Sequence, residues 1–256
     1  MEHFINKDNV GLLVGRAGQN VKSKVWDLAY ITDKITDLNC FYRGGVTIFP
    51  LYLYGKYEKG IQKEFKNDKN TLKFNKAVNF RESFLSYISD RYNLKTIEPE
   101  QIISYIYAIL YSQSYRSKYA ERLKTEFPRI PFVKNYALFQ KLAKLGRELI
   151  EIHLEKTNFN RNITKFVVSG SDIIEKIYYE DDKVYINDTQ YFGNIPKEIW
   201  DFYIGGYQVL DKWLKSRKGR KLSHQEIEIF VKIVNIIHKT LSVIEEMDRE
   251  TKSNLF

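Results

Sequence analysis

The sequence predicts an α+β fold, with mixed strands at both ends of the chain packed around a central helical block and a long C-terminal helix. Three observations carry this reading. Short β-branched and aromatic runs separated by Gly, Asn, Asp and Lys occupy the first third of the chain and return after residue 163. Between them, apolar residues recur at helical spacing. After residue 222 a capping signature opens one sustained apolar stripe. The chain has 256 residues, 43% of them hydrophobic and 15% aromatic, enough for a sizeable core. Five prolines and 29% charged residues exclude a disordered or fibrous chain.

Taken in order, the runs at 9–15, 25–32 and 45–54 predict strands. Pro50 cannot donate to a ladder and must lie at an edge, a bulge or a strand end. Residues 55–76, with five lysines from Lys56 to Lys69, read as a solvated excursion. Asn79 is a candidate cap for a helix carrying Phe80, Phe84, Tyr87 and Ile88. Pro99 suits the first turn of a buried helix with Ile102, Ile103, Ile106, Ile109 and Leu110. Ser112 or Ser114 caps the next, whose face is Tyr115, Tyr119 and Leu123, and Pro128 and Pro131 stop it. Phe139, Leu142, Leu145, Leu149 and Ile152 build another. Strands are expected at 163–168, 175–179 and 183–187, the last two joined as a hairpin through Glu180-Asp181-Asp182. Ser223 and Glu226 form a capping box, Leu222 and Ile227 a staple, and Ile227, Phe230, Val234, Ile237, Leu241, Ile244 and Met247 the stripe of the last helix. We expect a single domain over 1–256, strand-rich at 1–78, helical at 79–155, strand-rich with a basic loop at 156–222, and helical at 223–250.

Lys and Arg number 41 against 32 Asp and Glu, a formal charge of +9. Such an excess raises the local concentration of polyanions, nucleic acid first among them. A genome-wide lysine bias with solvated surfaces is the alternative. The one cysteine, Cys40, excludes an intrachain disulfide framework and a multi-cysteine zinc site. The N-terminus is acidic where a signal peptide is basic, and no apolar run approaches the ~18–20 residues of a membrane span, so a soluble, cytoplasmic protein without a membrane partner is expected.

Catalytic motifs are sought and not found. Adenine or cytosine methylation uses a glycine-rich cofactor turn and, for amino groups, an Asn/Asp-Pro-Pro-aromatic loop, but no Pro-Pro occurs and Gly11, Gly15 and Gly18 match neither that turn nor a phosphate loop. Glu64-Phe65-Lys66 resembles a nuclease Glu-x-Lys without the preceding Pro-Asp. His3, His153, His224 and His238 are scattered, with no metal-binding spacing. His153 closes an apolar helix face, where a histidine bonded to a carbonyl is the ordinary role. Ser169-Gly170-Ser171 reads as a loop, and no serine sits in a nucleophile elbow. We therefore expect no enzyme activity and no cofactor in this chain.

The positive signal is the stretch from Lys212 to Lys221, in which six of ten residues are basic, in a glycine-containing connection before the last helix. Phosphate is its natural ligand; a solvated helix end is the alternative, since Trp213 and Leu214 also pack. A second cluster, Arg16, Lys22 and Lys24 with Gln19 and Asn20, falls between two strands. Gln, Asn and Arg on a loop read base edges, and are also ordinary turn residues.

Four segments then resemble a known family: Phe-Pro-Leu-Tyr-Leu-Tyr (49–54), Tyr-Ile-Tyr-Ala-Ile-Leu-Tyr-Ser (105–112), the run from Tyr115 to Pro131, and the run from Ile204 to Leu222. In this order they are similar to the C-terminal specificity domain of single-chain Type ISP restriction-modification enzymes, over about His3 to Asp248. In that family a nuclease, a DNA translocase and an S-adenosylmethionine-dependent adenine N6-methyltransferase precede this target-recognition domain. The resemblance implies a sequence-specific reader of double-stranded DNA whose methyltransferase, nuclease and translocase lie elsewhere. It implies phosphate contacts by Lys212, Lys215, Arg217, Lys218, Arg220 and Lys221, with Gly219 in a tight turn. Lys22 and Lys24 join the phosphate set, and Arg16, Gln19, Asn20, Tyr42 and Arg43 are the candidates for base readout. Arg116 and Lys118 match the helical motif, where a structural role competes with DNA contact. The alternative is a remnant that binds single-stranded nucleic acid or protein through its 19 tyrosines.

Overall fold

The computed structural model describes residues 2–15, 26–41, 45–55, 76–159 and 161–251. The chain is α+β as expected, but its strands fall into separate small antiparallel sheets. β1 (Gly11–Gly15), β2 (Ala29–Thr32) and β3 (Val46–Pro50) form a sheet in the order β2-β1-β3. All five residues of β1 are buried, as a central strand covered on both faces must be. The expected 45–54 strand divides in two. Pro50 ends β3, and Leu51 turns its side chain into the core while its N–H donates to Val10 O. The chain resumes as β4 (Tyr52–Tyr54), paired with β5 (Lys76–Val78).

Five helices follow: α1 (Glu82–Arg91), α2 (Pro99–Tyr111), α3 (Gln113–Lys118), α4 (Ala120–Thr125) and α5 (Tyr136–His153). Asn79 does not cap α1; its side-chain amide donates to Pro50 O at 2.8 Å, and Arg81 occupies the cap position without a side-chain bond. Pro99 begins α2 as expected, and Ser112 caps α3 by accepting from the Tyr115 N–H. The expected Tyr115–Leu123 helix breaks at Tyr119 into α3 and α4. On α5, Gly146 lies so near α2 that a Cβ there would fall 1.9 Å from the Ser104 carbonyl oxygen, so glycine sets the helix spacing.

Four tyrosines, Tyr105, Tyr107, Tyr111 and Tyr115, are at most 1% exposed. Burial of a phenol is favourable only where its hydroxyl finds a partner. Tyr105 donates to Pro131 O, Tyr111 to Ala29 O and Tyr115 to Arg129 O. Tyr107 meets His153 Nδ1 at 2.7 Å, and His153 Nε2 meets Thr240 Oγ1 at 2.9 Å. His153 is thus a core histidine held by two hydroxyls, not by the carbonyl expected. Burial pushes its pKa down to about 4, and the Arg116 charge adds to the shift.

The second half builds another sheet, β6 (Lys165–Phe166), β7 (Tyr178–Glu180), β8 (Lys183–Tyr185) and β9 (Tyr191–Gly193), in the order β6-β9-β8-β7. Asp181 and Asp182 both take positive φ, 48° and 56°, giving the two-residue turn that joins β7 to β8 as the sequence predicts. Then come α6 (Lys197–Trp200), the hairpin β10 (Tyr203–Ile204) and β11 (Tyr207–Gln208), α7 (Val209–Lys215) and α8 (His224–Thr251). The capping box is present: the Ser223 N–H donates to Glu226 Oε2 at 3.1 Å, and the Glu226 N–H to Ser223 Oγ at 3.2 Å.

Buried apolar side chains form two clusters. The first unites the β1 sheet, α1 to α5 and Val243, Ile244 and Met247 of α8. The second unites the β6–β9 sheet, α6, α7 and Phe230, Val231, Val234 and Ile237 of α8. One 28-residue helix, about 42 Å long at 1.5 Å per residue, therefore contributes its N-terminal half to one core and its C-terminal half to the other.

Candidate nucleic-acid interface

The basic stretch 212–221 covers the last turn of α7 and its connection to α8. Leu210 and Leu214 are fully buried, and Trp213 packs on Phe230 with centroids 5.4 Å apart, so the segment is fastened from below. Gly219 closes the connection at φ +80°, donating its N–H to Ile174 O at 2.8 Å. Nothing lies within 4 Å of a Cβ there, so backbone conformation rather than space calls for glycine.

The cations divide by environment. The Arg217 guanidinium lies 3.7 Å from the Trp213 ring centroid, a stacking geometry, and donates to Glu226 Oε1, Trp213 O and Ser216 Oγ at 3.0–3.1 Å. Arg220 donates to the same Glu226 oxygen at 3.0 Å. Glu226 is the hub: the Ser223 N–H, then the two guanidiniums, hold its carboxyl below the usual range. Lys215 pairs with Asp211 at 2.7 Å, and Lys221 stands 3.8 Å from Asp172. Lys212 is exposed, with its ammonium 5.2 Å from the Tyr207 ring centroid. Lys218 is exposed and forms no ion pair with the described residues. Six cations thus face three carboxylates, and the rim keeps a positive balance. Its exposed pairs are worth ~0–1 kcal/mol each, so a phosphate can compete for those lysines.

Arg16, Gln19, Asn20, Lys22, Lys24, Tyr42 and Arg43 lie outside the described residues. The described residues that flank them are informative. Gly15 N–H donates to Leu28 O, and Trp26, Asp27, Leu28 and Phe41 are buried. The Gly205-Gly206 turn between β10 and β11 seats on this ground: Gly205 N–H donates to Asp27 O and Gly206 N–H to Asp27 Oδ2, both at 3.2 Å. A Cβ at Gly205, where φ is +60°, would fall 2.3 Å from the Tyr30 hydroxyl and 2.9 Å from the Phe41 ring. Asp27, Tyr30 and Phe41 therefore meet at one turn, whose chain continues directly into α7 and the basic rim.

Sequence reasoning passed over Asp27. It is buried, its Oδ1 accepts no hydrogen bond among the described residues, and burial raises its pKa against the opposing pull of the Gly206 N–H and Arg116. Arg116 is only 7% exposed, donates from Nε to Leu110 O, and lies 4.8 Å from the Tyr111 ring centroid. It belongs to the core, while Lys118 is exposed on the last turn of α3. Among the described residues no helix is long and apolar enough to cross a membrane, and no three His, Cys, Asp or Glu side chains are placed to hold a metal.

Residues 1–246 match the family model described as the Type ISP C-terminal specificity domain. No curated protein matches the chain. Among solved structures, the chain is similar to an ATP-dependent Type ISP restriction-modification enzyme, LlaBIII, bound to DNA (TM-score 0.67, 21% identity, 94% of this chain and 16% of that one). It is similar to a nuclease-deletion mutant of the Type ISP enzyme LlaGI in complex with a DNA substrate mimic (TM-score 0.62, 19% identity, 94% and 21%). It is also similar to DrdV in a complex with DNA (TM-score 0.70, 19% identity, 93% and 24%). The chain spans less than a quarter of the length of each of these proteins.

Proposed function

Because the chain belongs to the Type ISP C-terminal specificity domain family, we propose that it is the sequence-reading duplex DNA module of a restriction-modification system. In this reading it is not itself catalytic. It directs an S-adenosylmethionine-dependent adenine N6-methyltransferase, with its nuclease and translocase, located elsewhere in that system. The observation that carries the reading is the family match over nearly the whole chain, with a positively balanced rim on the segment from Ile204 to Leu222.

Phosphate contacts position a protein on DNA, and base-edge contacts specify the site. Lys212 and Lys218 are the exposed cations best placed to meet phosphates, with Lys215, Arg220 and Lys221 joining by exchanging carboxylate partners for phosphate oxygens. Arg217 acts mainly by holding the rim against Trp213. Lys22 and Lys24 extend the phosphate set, and Arg16, Gln19, Asn20, Tyr42 and Arg43 supply base readout.

A second reading, single-strand binding, is favoured by one feature. Tyr178, Tyr185 and Tyr191 stand directly opposite one another on adjacent strands of the second sheet, on the face away from Val184 and Phe192. A stacked pair at 4.5 Å, Tyr178 on Tyr185, with the Tyr191 ring tilted beside it at 5.1 Å, suits unpaired bases.

The test is selection of bound duplexes from a random-sequence pool at about 150 mM salt, with single strands of the same pool as competitor. An enriched duplex motif is expected. Displacement of all duplexes by single strands would overturn the reading in favour of the second.

A further inference from the structure

Between the edge strand β6 and the first turns of α8 lies an open cleft of about 910 Å³. Its floor is apolar, formed by Phe166, Ile227 and Val231, and its rim carries Arg161, Lys165 and Asn194. Among the described residues, the charged side chains that line it, Arg161 and Lys165, are both positive. Arg161 and Lys165 are exposed and form no ion pair among the described residues, in contrast to the rim at 212–221, where most cations already face a carboxylate.

The cleft is built rather than incidental. Asn235 on α8, 3% exposed, accepts the Ile163 N–H at Oδ1 and donates from Nδ2 to Asn162 Oδ1. Thr164 donates to Gly193 O at 2.6 Å, and Lys165 pairs with Gly193 in the sheet. Four consecutive residues, 162–165, are therefore fastened to α8 on one side and to β9 on the other. The two cations stand at the ends of a stretch with little freedom to collapse. Exposed cations carried on a fastened stretch beside an apolar floor fit a sugar–phosphate chain, which offers anionic oxygens at its edge and a less polar sugar face between them.

We propose that this cleft is a second backbone-binding site for DNA, separate from the 212–221 rim, with Arg161 and Lys165 each meeting a phosphate. On α8, Glu226, which anchors the rim, and Ile227 and Val231, which floor the cleft, lie about 100–140° apart around the axis. The two surfaces therefore flank the helix on different sides. The inference rests on the reading of the chain as a duplex DNA binder.

The test measures duplex affinity against salt concentration for the full chain and for Arg161→Glu/Lys165→Glu and Arg161→Gln/Lys165→Gln. Lys134→Glu/Lys144→Glu serves as control, because both lysines are exposed in the helical lobe and make no ion pair among the described residues. Loss of two phosphate contacts lowers the slope of log affinity against log salt by about 1.8, and we expect this for both cleft variants and not for the control. Affinity at about 150 mM salt should fall at least ~10-fold for the Glu pair. Matching thermal unfolding among the variants establishes that the fold is kept. An unchanged slope in the cleft variants, or an equal loss in the control, overturns the cleft while leaving duplex recognition standing. Absence of duplex binding by the unaltered chain overturns the reading on which the cleft depends.

Discussion

The two lobes place their charged and ionisable residues in opposite ways. The first turns them inward: Asp27, Arg116, His153 and four tyrosines lie in or beside its core, joined through hydroxyls and carbonyls. The second buries neutral amides, Asn187, Gln190 and Asn235, beside its apolar core and turns its cations outward, onto the 212–221 rim and the Arg161–Lys165 cleft. Two stretches that resemble one family thus do different work. The run from Tyr115 to Pro131 mostly builds, and the run from Ile204 to Leu222 mostly presents.

Three measurements break or sharpen this contrast. Arg116→Ala should have the largest effect, about 2–4 kcal/mol off the free energy of unfolding, because it removes a buried guanidinium that donates to Leu110 O and lies over the Tyr111 ring, and leaves a cavity in its place. Denaturant titration reads it, and Arg116→Ala/Asp27→Asn should recover only the part that comes from the Arg116 charge acting on Asp27. A loss under ~1 kcal/mol would mean that the first lobe does not depend on inward charge.

His153 comes next. Its neutral form is favoured in the fold, so the unfolded chain takes up a proton more readily. The stability it contributes is present above the ordinary histidine value of 6.5 and is lost as pH falls toward about 4. The displacement corresponds to about 3 kcal/mol across that window. Unfolding titrations from pH 7 to pH 4 should show the slope, and His153→Gln should flatten it.

The smallest effects separate two cations of the rim. Arg217→Ala loses a stacked guanidinium and a bond to Glu226 and should cost about 1 kcal/mol of stability. Lys218→Glu should stay within ~0.5 kcal/mol in stability yet weaken binding to all duplex sequences alike. If Lys218→Glu leaves affinity unchanged while Arg217→Ala abolishes it without unfolding, the division between holding and presenting is reversed.

Much of the first level was legible. The Ser223–Glu226 box, the Asp181-Asp182 turn, Pro99 at a helix start and Gly219 in its turn are local, and local rules find them. The division of 45–54 was not, because Leu51 leaves the strand for a core assembled from residues between Leu12 and Met247. Asn79 has the residue type of a cap, but a partner 29 residues away, Pro50 O, takes its amide. The partition of the basic stretch was hidden for the same reason: Glu226 lies nine residues from Arg217, and only the fold shows that it holds two arginines at once. In Arg161-Asn162-Ile163-Thr164-Lys165 the cue was the mixture of cations and amides that had drawn attention to 16–24. The residue that turns it into a fastened cleft, Asn235, is far along the chain.

The long helix has a consequence for how the molecule is made. Synthesis runs from the N-terminus at ~5–20 residues per second, so about 5–20 s separate the emergence of His153 from that of Met247. Through that interval the first lobe lacks Val243, Ile244 and Met247, and His153 lacks Thr240. Neither lobe can finish before the last helix arrives, and both then close together on one piece of chain.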